Sequence, residues 1–503
     1  MSTASTEPLR GPHPEPRERR RFGEIEPESP WRFHEVPRIF LHHRHVALIG
    51  LCALGLVAGW LAVNHSPRMA VALFCAVVGG VAIVFAPFLG VLAYFNLTLM
   101  RPQELFWGLA NSRLAAAIAG ATIVAALIHY AVRPNLDFIR RKQNFFILVL
   151  WLFIYLSTQL GDFGVPEPKW MSYYNKMFLM YFIVLSLMTS ERKLWWLAWI
   201  VVISIGTLTV WANKMHFLEG LYTVHGPGRP GDTFYDENDF AMVMVMGVPF
   251  LWYLMRYTRN RILKAGLLLM LPVAAHAIFV TFSRGGFLGL ASVTGLIAIR
   301  DKNRALGTFV IACGVVFFIV FAGDRYRARI GSIDDYESDK SASGRLESWE
   351  AGLNMAVHNP FFGVGLKQYQ TAFPYYSNHH PLVAHNSWVQ IGAEAGLVAL
   401  GSYGMLVLLT WRSLRRIRRR WDQFSGRHGE MIRSLTLIYE ATLAGYLVCG
   451  FFLSMEDFEF FYLLVGMVLV LDRITEKRAE ERRAGERATA SAAAARPIEA
   501  RAG

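Results

Sequence analysis

The sequence is poor in cysteine and in charged residues for its length. Its 503 residues include four cysteines, and all four lie within apolar runs. This argues against a disulfide framework and against a thiolate metal site, and it is typical of small buried packing residues. Charged residues make up 18% of the chain, against 54% apolar and 14% aromatic, and the mean hydropathy is +0.31. These proportions exclude an ordinary soluble domain and indicate a polytopic membrane protein.

Acidic residues are in the minority among the charges. The chain has 51 Lys and Arg against 38 Asp and Glu, a formal net charge of +13. Much of the excess lies in residues 411–433, where eight arginines stand against two acids. Such an excess beside apolar runs predicts a cytoplasmic loop lying against anionic membrane lipids, and no nucleic-acid partner is expected.

The two ends of the chain have no long apolar stretch. Residues 1–44 are rich in Pro, Arg and Glu and resemble no cleavable signal, which predicts a disordered cytoplasmic N-terminal tail. Residues 474–503 consist mainly of Ala, Arg and Glu without a sustained apolar face, which predicts a low-complexity cytoplasmic tail. The chain also has no internal repeat, so the inverted-repeat architecture of many transporters finds no support.

Apolar runs occupy most of the remaining chain. A bilayer core about 30 Å thick needs roughly 20 apolar residues per helix, and many runs approach that length. Pro87 interrupts an otherwise overlong run, where a broken or re-entrant pair is an alternative. The predicted fold class is all-α, a polytopic transmembrane helix bundle of about 12–14 spans. The predicted helices are 46–63, 69–86, 88–100, 112–131, 145–160, 175–188, 194–212, 239–256, 263–281, 285–300, 304–322, 388–411, 434–453 and 458–473.

Positive charges in alternate short loops predict the orientation. Because Lys and Arg collect in cytoplasmic loops, both termini are expected in the cytoplasm, with the large loop 323–387 on the outside. This divides the membrane part into a first helix block, 45–322, and a C-terminal block, 388–473. The loop is expected to be partly helical and to carry active-site residues.

Arg284 lies between two apolar runs, in the sequence TFSRGG. An arginine near mid-bilayer costs a few kcal/mol, so it is expected to snorkel, pair or bind an anion. The backbone N–H groups of Gly285 and Gly286, at the start of the next helix, would favour an anion at the membrane edge. Anchoring of a helix end at the headgroups is the alternative.

Arg345 is predicted in the first turn of an amphipathic helix. Apolar residues recur at helical spacing from Leu346 to Val357, and Pro360 ends the segment. A basic residue is unfavourable near a helix N-terminus unless an anion is nearby, which favours an anionic ligand. A surface salt bridge to an acid such as Glu347 is the alternative. The following sequence FFGVG is weak evidence for a glycine turn whose N–H groups approach phosphate.

His385 stands where the chain enters the next apolar helix. A histidine there can accept a proton near neutral pH, and Asn386 could fix substrate hydroxyls. Glu394, an intramembrane carboxylate on the same helix, is a functional candidate by default. The alternative for His385 is a hydrogen bond at the membrane interface, and the alternative for Glu394 is a structural pairing with His385 or Arg284. His379 and His380 are predicted to be ordinary loop residues, because a metal pair would need a third ligand.

Acidic residues cluster before the helix predicted at 239–256. Asp232, Asp236 and Asp239 could ligate a hard cation such as Mg²⁺ or Mn²⁺. The favoured interpretation is that Asn238 and Asp239 cap that helix, so no metal or other cofactor is expected. Arg101, in a polar and aromatic stretch at a membrane edge, is a further candidate substrate contact or part of an interfacial belt.

Three of these motifs together resemble the O-antigen ligase and polymerase superfamily of bacterial inner-membrane glycosyltransferases. They are SRGG at 283–286, GRLESW at 344–349 and HNSWVQIGAEAGL at 385–397. In addition, YFNLTLMRPQELFW at 94–107 is similar to the branch of probable O-glycosylation ligases associated with the exosortase system.

The resemblance implies a membrane-bound glycosyltransferase. The donor would be a glycan on undecaprenyl pyrophosphate, and the acceptor a hydroxyl on a protein or a lipid-core sugar at the periplasmic face of the inner membrane. In the ligases it implies no metal. By this resemblance Arg284 and Arg345 would hold the pyrophosphate, and His385 would assist deprotonation of the acceptor. The expected transfer inverts the anomeric carbon, because attack comes from the side opposite the leaving group.

Other assignments stay open from the sequence. Lys367 and Tyr369 match no secure family role and are candidate donor contacts. A polysaccharide polymerase, whose acceptor is itself lipid-linked, is the alternative within the family. A lipid-linked saccharide flippase or transporter would instead need paired charges near the bilayer midplane, whereas the polar residues here are predicted on one side. A scaffold that only binds polysaccharide should tolerate loss of Arg284 and His385.

Overall fold

The computed structural model of the chain describes residues 55, 57, 59, 60, 77–105, 114–132, 141–228, 233–300 and 340–494. All of them belong to one compact unit, Leu54–Gly503. The predicted tail 1–44 lies outside the described residues. Within the described segments all regular secondary structure is helical, which confirms the predicted all-α class.

The α-helices follow the chain in a simple order. They are α1 (Phe88–Leu99), α2 (Pro102–Leu105), α3 (Leu114–Val132), α4 (Lys142–Leu160), α5 (Pro168–Leu187), α6 (Glu191–Phe217), α7 (Glu237–Tyr257), α8 (Arg261–Phe279), α9 (Arg284–Arg300), α10 (Lys340–His358), α11 (Tyr369–Ala372), α12 (Ser387–Arg419), α13 (Gly426–Gly450) and α14 (Glu459–Ala494). Short 3-10 turns lie at Thr233–Tyr235, Phe373–Tyr375 and Trp421–Gln423.

Five of these helices, α4, α6, α7, α8 and α12, are long and apolar enough to cross a membrane. α1 and the first part of α3 are shorter apolar helices. The chain is therefore an integral membrane protein of the multi-pass helical type. The count of 12–14 spans stays a prediction, because the predicted helices 46–63, 69–86 and 304–322 lie wholly or partly outside the described residues.

Helix ends depart from the predicted ends mainly on the charged side. α12 continues to Arg419 and α14 to Ala494, well past the predicted ends at 411 and 473. Hydropathy predicts only the apolar part of each helix. The helical hydrogen bonding continues through the arginine-rich and alanine-rich residues that follow, because these residues favour helix. As predicted, the run before Pro87 is broken, with a helical segment at 77–85 and α1 beginning at Phe88.

α7 forms the centre of the bundle. Every residue from Phe240 to Met255 is buried, which suits a helix that is apolar on all sides. It packs against α6, α8, α9 and α13. The approach to α6 is close, because a β-carbon on Gly247 would lie 2.3 Å from Cγ1 of Ile205.

The loop between the two blocks is partly helical in its described part, as predicted. It contains α10 and α11, and α10 packs against α12. α10 ends at His358, just before Asn359 and Pro360. The first part of the loop, 323–339, lies outside the described residues.

Candidate functional site

The start of α12 is bent and held by the segment before α11. Gly396 has φ 83° and interrupts the helix. Beside it, the Val364 N–H donates to the carbonyl of Ala393 at 2.8 Å, and the Gly365 N–H donates to the carbonyl of Glu394 at 3.2 Å. The expectation that this glycine turn approaches a phosphate is therefore wrong. Its N–H groups satisfy carbonyls that the kink in α12 exposes.

α10 fixes the residues that lead into α12. The Trp349 indole donates to the carbonyl of Ala384 at 2.8 Å, and the Ser348 hydroxyl donates to the carbonyl of Val383 at 2.9 Å. Asn386 then caps α12, because its side-chain oxygen accepts from the N–H groups of residues 388 and 389. His385 is thus held between two anchored residues. A role for Asn386 in binding substrate stays a prediction.

Arg345 and the backbone that follows Arg284 both lie against Phe452. The Arg345 guanidinium carbon is 6.0 Å from the centre of the Phe452 ring. Gly285, directly after Arg284, packs on the same residue, since a β-carbon there would lie 3.3 Å from Phe452 Cβ. Arg284 is the first residue of α9. Folding therefore brings Arg345 and the start of α9 to the same phenylalanine, although they are about 60 residues apart in the sequence.

The positive charge of Arg345 acts on the pKa of His385. Burial lowers the pKa of His385, and the positive charge of Arg345 lowers it further, against the opposing carboxylates of Asp236 and Glu237. This lowered pKa favours the neutral imidazole, whose lone pair can accept a proton.

A cavity of about 460 Å³ lies beside Asp236 and Glu237. Of the predicted contacts, Lys367, Tyr369 and Glu394 line it. Arg284, Arg345 and His385 are not among its lining residues, but Asp236 and Glu237, whose charges act on His385, are. The region thus has two parts, Arg345 against Phe452 and a cavity rich in carboxylates.

Lys367 is neutralised by two carboxylates that sequence reasoning did not single out. Its ammonium nitrogen lies 3.2 Å from Glu456 Oε1 and 3.0 Å from Asp457 Oδ2, and 4.9 Å from the centre of the Trp170 ring. Burial lowers the pKa of Lys367, but these carboxylates raise it more, so that it ends well above its ordinary value. Burial also raises the pKa of Glu456, to about 7.

Glu456 and Asp457 lie in the short segment between α13 and α14, which the sequence analysis did not single out. Both are buried, with 2% and 4% of their surface exposed. The available indication was that two acids stand between two apolar runs, where an ionisable residue is costly and is retained for pairing or function. The partner was not predictable, because Lys367 is 89 residues away.

Glu394 faces the same cavity through a polar chain. It accepts from the amide nitrogen of Gln390, whose oxygen in turn accepts from the Ser454 hydroxyl at 3.1 Å. Its backbone carbonyl accepts from Ser157 at 2.6 Å. Tyr369, also on the cavity, lies against α10, because its hydroxyl donates to the carbonyl of Ser348. Burial raises the pKa of Tyr369 to about 12.

The acidic segment before α7 begins the helix by a different residue than predicted. Asp236, not Asn238 or Asp239, is the cap, since it accepts from the N–H groups of both at 2.8 and 3.2 Å. The prediction failed because the helix starts two residues earlier, at Glu237. Asp239 lines the cavity, and Asp232 lies outside the described residues. No group of three or more metal-ligating side chains occurs within the described segments.

Positive φ angles mark this region of the molecule. Among the described non-glycine residues, Arg101, Phe282, Lys367 and His385 have φ of 51°, 55°, 58° and 45°. Three of these are predicted site residues, and the fourth lies two residues before Arg284. Such conformations cost about 1–3 kcal/mol each and persist where surrounding structure enforces them, commonly at functional sites. Arg101 lies 3.4 Å from Glu104 and 4.5 Å from the centre of the Phe234 ring.

The two histidines predicted as loop residues do lie in an exposed loop. His379 Nδ1 is 3.3 Å from Glu347 Oε2, and His380 is exposed. Glu347 is the acid named above as an example of a salt-bridge partner for Arg345, and here it contacts His379.

Comparison with known proteins bears on the same residues. Residues 265–404 match the family model described as O-antigen ligase, and this range includes Arg284, Arg345 and His385. Residues 67–259 match a family of unknown function (DUF5935). A curated relative is the teichuronic acid biosynthesis protein TuaE of Bacillus subtilis (strain 168), 25% identical over 257 residues, covering 47% of this chain and 53% of the relative.

The chain spans about half the length of that relative. The branch of O-glycosylation ligases suggested by residues 94–107 stays a prediction. The matched family model agrees with the three motifs: an O-antigen ligase domain is present at residues 265–404, which supports the resemblance to the O-antigen ligase superfamily.

Proposed function

We propose that the protein is an inverting glycosyltransferase of the glycan ligase type. It transfers an oligo- or polysaccharide from undecaprenyl pyrophosphate to a hydroxyl of a protein or a lipid-core sugar. The observation that carries this proposal is that Arg345 and the start of α9, where Arg284 lies, both pack on Phe452, and that the charge of Arg345 acts on His385, beside a carboxylate-lined cavity. The proposed setting is the bacterial inner membrane, with both termini cytoplasmic and the loop 323–387 periplasmic.

The donor diphosphate binds at the basic part of the site. Guanidinium groups form charge-assisted, often bidentate hydrogen bonds with phosphate oxygens. As the bond between the anomeric carbon and the diphosphate oxygen breaks, its electron pair and negative charge pass to the diphosphate. Arg284 and Arg345 stabilise that charge where it develops.

His385 activates the acceptor. Its neutral imidazole accepts the hydroxyl proton while the acceptor oxygen forms a bond to the anomeric carbon from the side opposite the diphosphate. The products are the glycosylated acceptor, with inverted configuration, and undecaprenyl pyrophosphate. The proton on His385 is then released to water.

The cavity suits sugar better than phosphate. The positive charge of Lys367 is already balanced by Glu456 and Asp457, and further carboxylates, Asp239 and Glu394, line the walls. Carboxylates accept hydrogen bonds from hydroxyl groups but repel an anion. The volume of about 460 Å³ lies in the range of small-molecule sites. We therefore assign Lys367, Tyr369 and Glu394 to the saccharide rather than to the diphosphate.

A polysaccharide polymerase is the second candidate. It is favoured by the similarity to a protein named for teichuronic acid biosynthesis. Here the same site would join a lipid-linked donor to a lipid-linked acceptor. A lipid-linked saccharide flippase is the alternative from another class, and it would have no need of a proton acceptor at His385.

The test is transfer by the purified protein in lipid nanodiscs, with an undecaprenyl-pyrophosphate oligosaccharide and candidate acceptors. Arg284→Ala, Arg345→Ala and His385→Ala should each lower turnover about 100-fold or more. His379→Ala, an exposed histidine of the same loop, and Arg412→Ala, an exposed arginine, are matched controls that should keep wild-type turnover.

The outcomes separate the candidates. Transfer to a protein or core-sugar acceptor indicates a ligase, and growth of the lipid-linked glycan indicates a polymerase. Normal turnover in all three site variants would overturn the assignment of the residues. Strict dependence on Mg²⁺ or Mn²⁺ would move attention to Asp236 and Asp239.

A further inference from the structure

A second cavity, of about 830 Å³, lies between α9, α12 and α13. Four arginines line one end of it: Arg300, Arg415, Arg418 and Arg419. Arg300 ends the helix that Arg284 begins, so the two are about 24 Å apart along the axis at about 1.5 Å per residue. This cavity, the basic groove, is therefore at the end of α9 away from the proposed site.

The arginines of the basic groove outnumber its acids. Glu440 is the one carboxylate among the lining residues, with Oε1 3.3 Å from Arg418 Nη1 and Oε2 3.8 Å from Arg300 Nε. Arg415 lies 4.7 Å from the centre of the Trp411 ring. One carboxylate cannot balance four guanidinium groups, which leaves a surplus of positive charge at this end.

The remaining wall of the groove is apolar. Leu296 on α9, Leu414 on α12, and Leu443 and Leu447 on α13 line it. Leu447 is seven residues beyond Glu440 on the same helix, so the apolar wall continues about 10 Å along the axis from the charged end. Trp411 and Trp421, also in the lining, are residues that favour the boundary between acyl chains and water.

We infer that the basic groove binds an anionic phospholipid. Its phosphate lies among Arg415, Arg418 and Arg419, and one acyl chain lies along the leucines. A free phosphate would use only the charged end, and a zwitterionic lipid would bring a cation to it. The shape and charge together fit a lipid headgroup with a negative charge, as basic pockets between transmembrane helices do.

The experiment is native mass spectrometry of the full-length, delipidated protein in detergent, titrated with phosphatidylglycerol, phosphatidylcholine or inorganic phosphate. The wild type should bind phosphatidylglycerol in preference to both other probes. Arg415→Gln/Arg419→Gln should weaken that binding about 30-fold, which corresponds to about 1 kcal/mol per arginine at about 1.4 kcal/mol per tenfold change. Arg412→Gln/Arg483→Gln, which removes two arginines outside the groove, should bind as the wild type does.

Three outcomes would overturn the inference. They are an equal loss in the control variant, equal binding of phosphatidylcholine, and equally effective binding of inorganic phosphate. A second measurement guards against a folding defect in the groove variant. A phosphatidylglycerol with a photoreactive acyl chain should label the peptide containing Leu443 and Leu447 in the wild type, and labelling confined to other helices would also refute the assignment.

Discussion

Replacing Lys367 with methionine is expected to destabilise the protein strongly. Methionine keeps the length of the side chain but removes the ammonium group that lies 3.2 Å from Glu456 and 3.0 Å from Asp457. The two carboxylate side chains are only 3% and 5% exposed, so water cannot take over the lost interaction. Removing one member of a buried ion pair costs about 3–5 kcal/mol, because the other member stays buried and charged.

The loss should depend on pH with a definite sign. Lys367 lowers the pKa of Glu456, which still lies at about 7 because burial raises it by more. Without the lysine the folded-state pKa rises further above the ordinary value of 4.5, so folding then takes up a proton. The penalty is therefore complete above the folded-state pKa and disappears as the pH falls towards the ordinary value.

The free energy of unfolding can be measured by denaturant titration in mixed micelles at several pH values. Lys169→Met is the matched control, because Lys169 lies 2.7 Å from Glu167 but both side chains are more than 60% exposed. Such an exposed pair contributes less than about 1 kcal/mol. Adding Glu456→Gln to Lys367→Met should restore part of the stability. The reasoning fails if the two lysine variants lose equally, or if the loss at Lys367 is the same at low and high pH.

Three further predictions concern the backbone of α12, the start of α7 and the proposed base. Gly396→Ala should lower the stability by at least about 1–2 kcal/mol, since φ is 83° and the new β-carbon would lie 2.5 Å from the Phe361 carbonyl oxygen. Gly401→Ala is the control: the space around Gly401 is open, so this change should be neutral or stabilising when both variants are compared by thermal melting. Asp236→Ala should lower stability by about 1 kcal/mol and Asp236→Asn should not, because only asparagine keeps the cap; equal losses would exclude capping as the cause. The acid limb of the pH–turnover profile should have its midpoint below 6.5, the ordinary pKa of histidine. In Arg345→Gln the midpoint, measured on the residual activity, should move upward because the positive charge beside His385 is gone. An unchanged midpoint would show that Arg345 does not act on the group that titrates.

Much of the helical framework was predictable because it rests on local properties. The break at Pro87, the helix from Phe88 and the amphipathic helix closed by Pro360 each follow from residues within one or two turns of the event. Gly396 was not predictable in this way, since an isolated glycine inside a helical pattern is usually tolerated without a kink. Its bend depends on the carbonyls and N–H groups of residues 360–365, which only folding brings beside it.

The sequence by itself determined that this chain is a helical membrane protein and which arginines and histidine deserve study, because apolar length and local motif chemistry do not depend on distant residues. Only the tertiary structure decided which charges share a site. It joined Lys367 to Glu456 and Asp457, and it kept their charge-balanced cavity apart from Arg345, which lies against Phe452. The physical reason is that the energy of a buried charge is set by the partners and the solvent exposure that folding gives it.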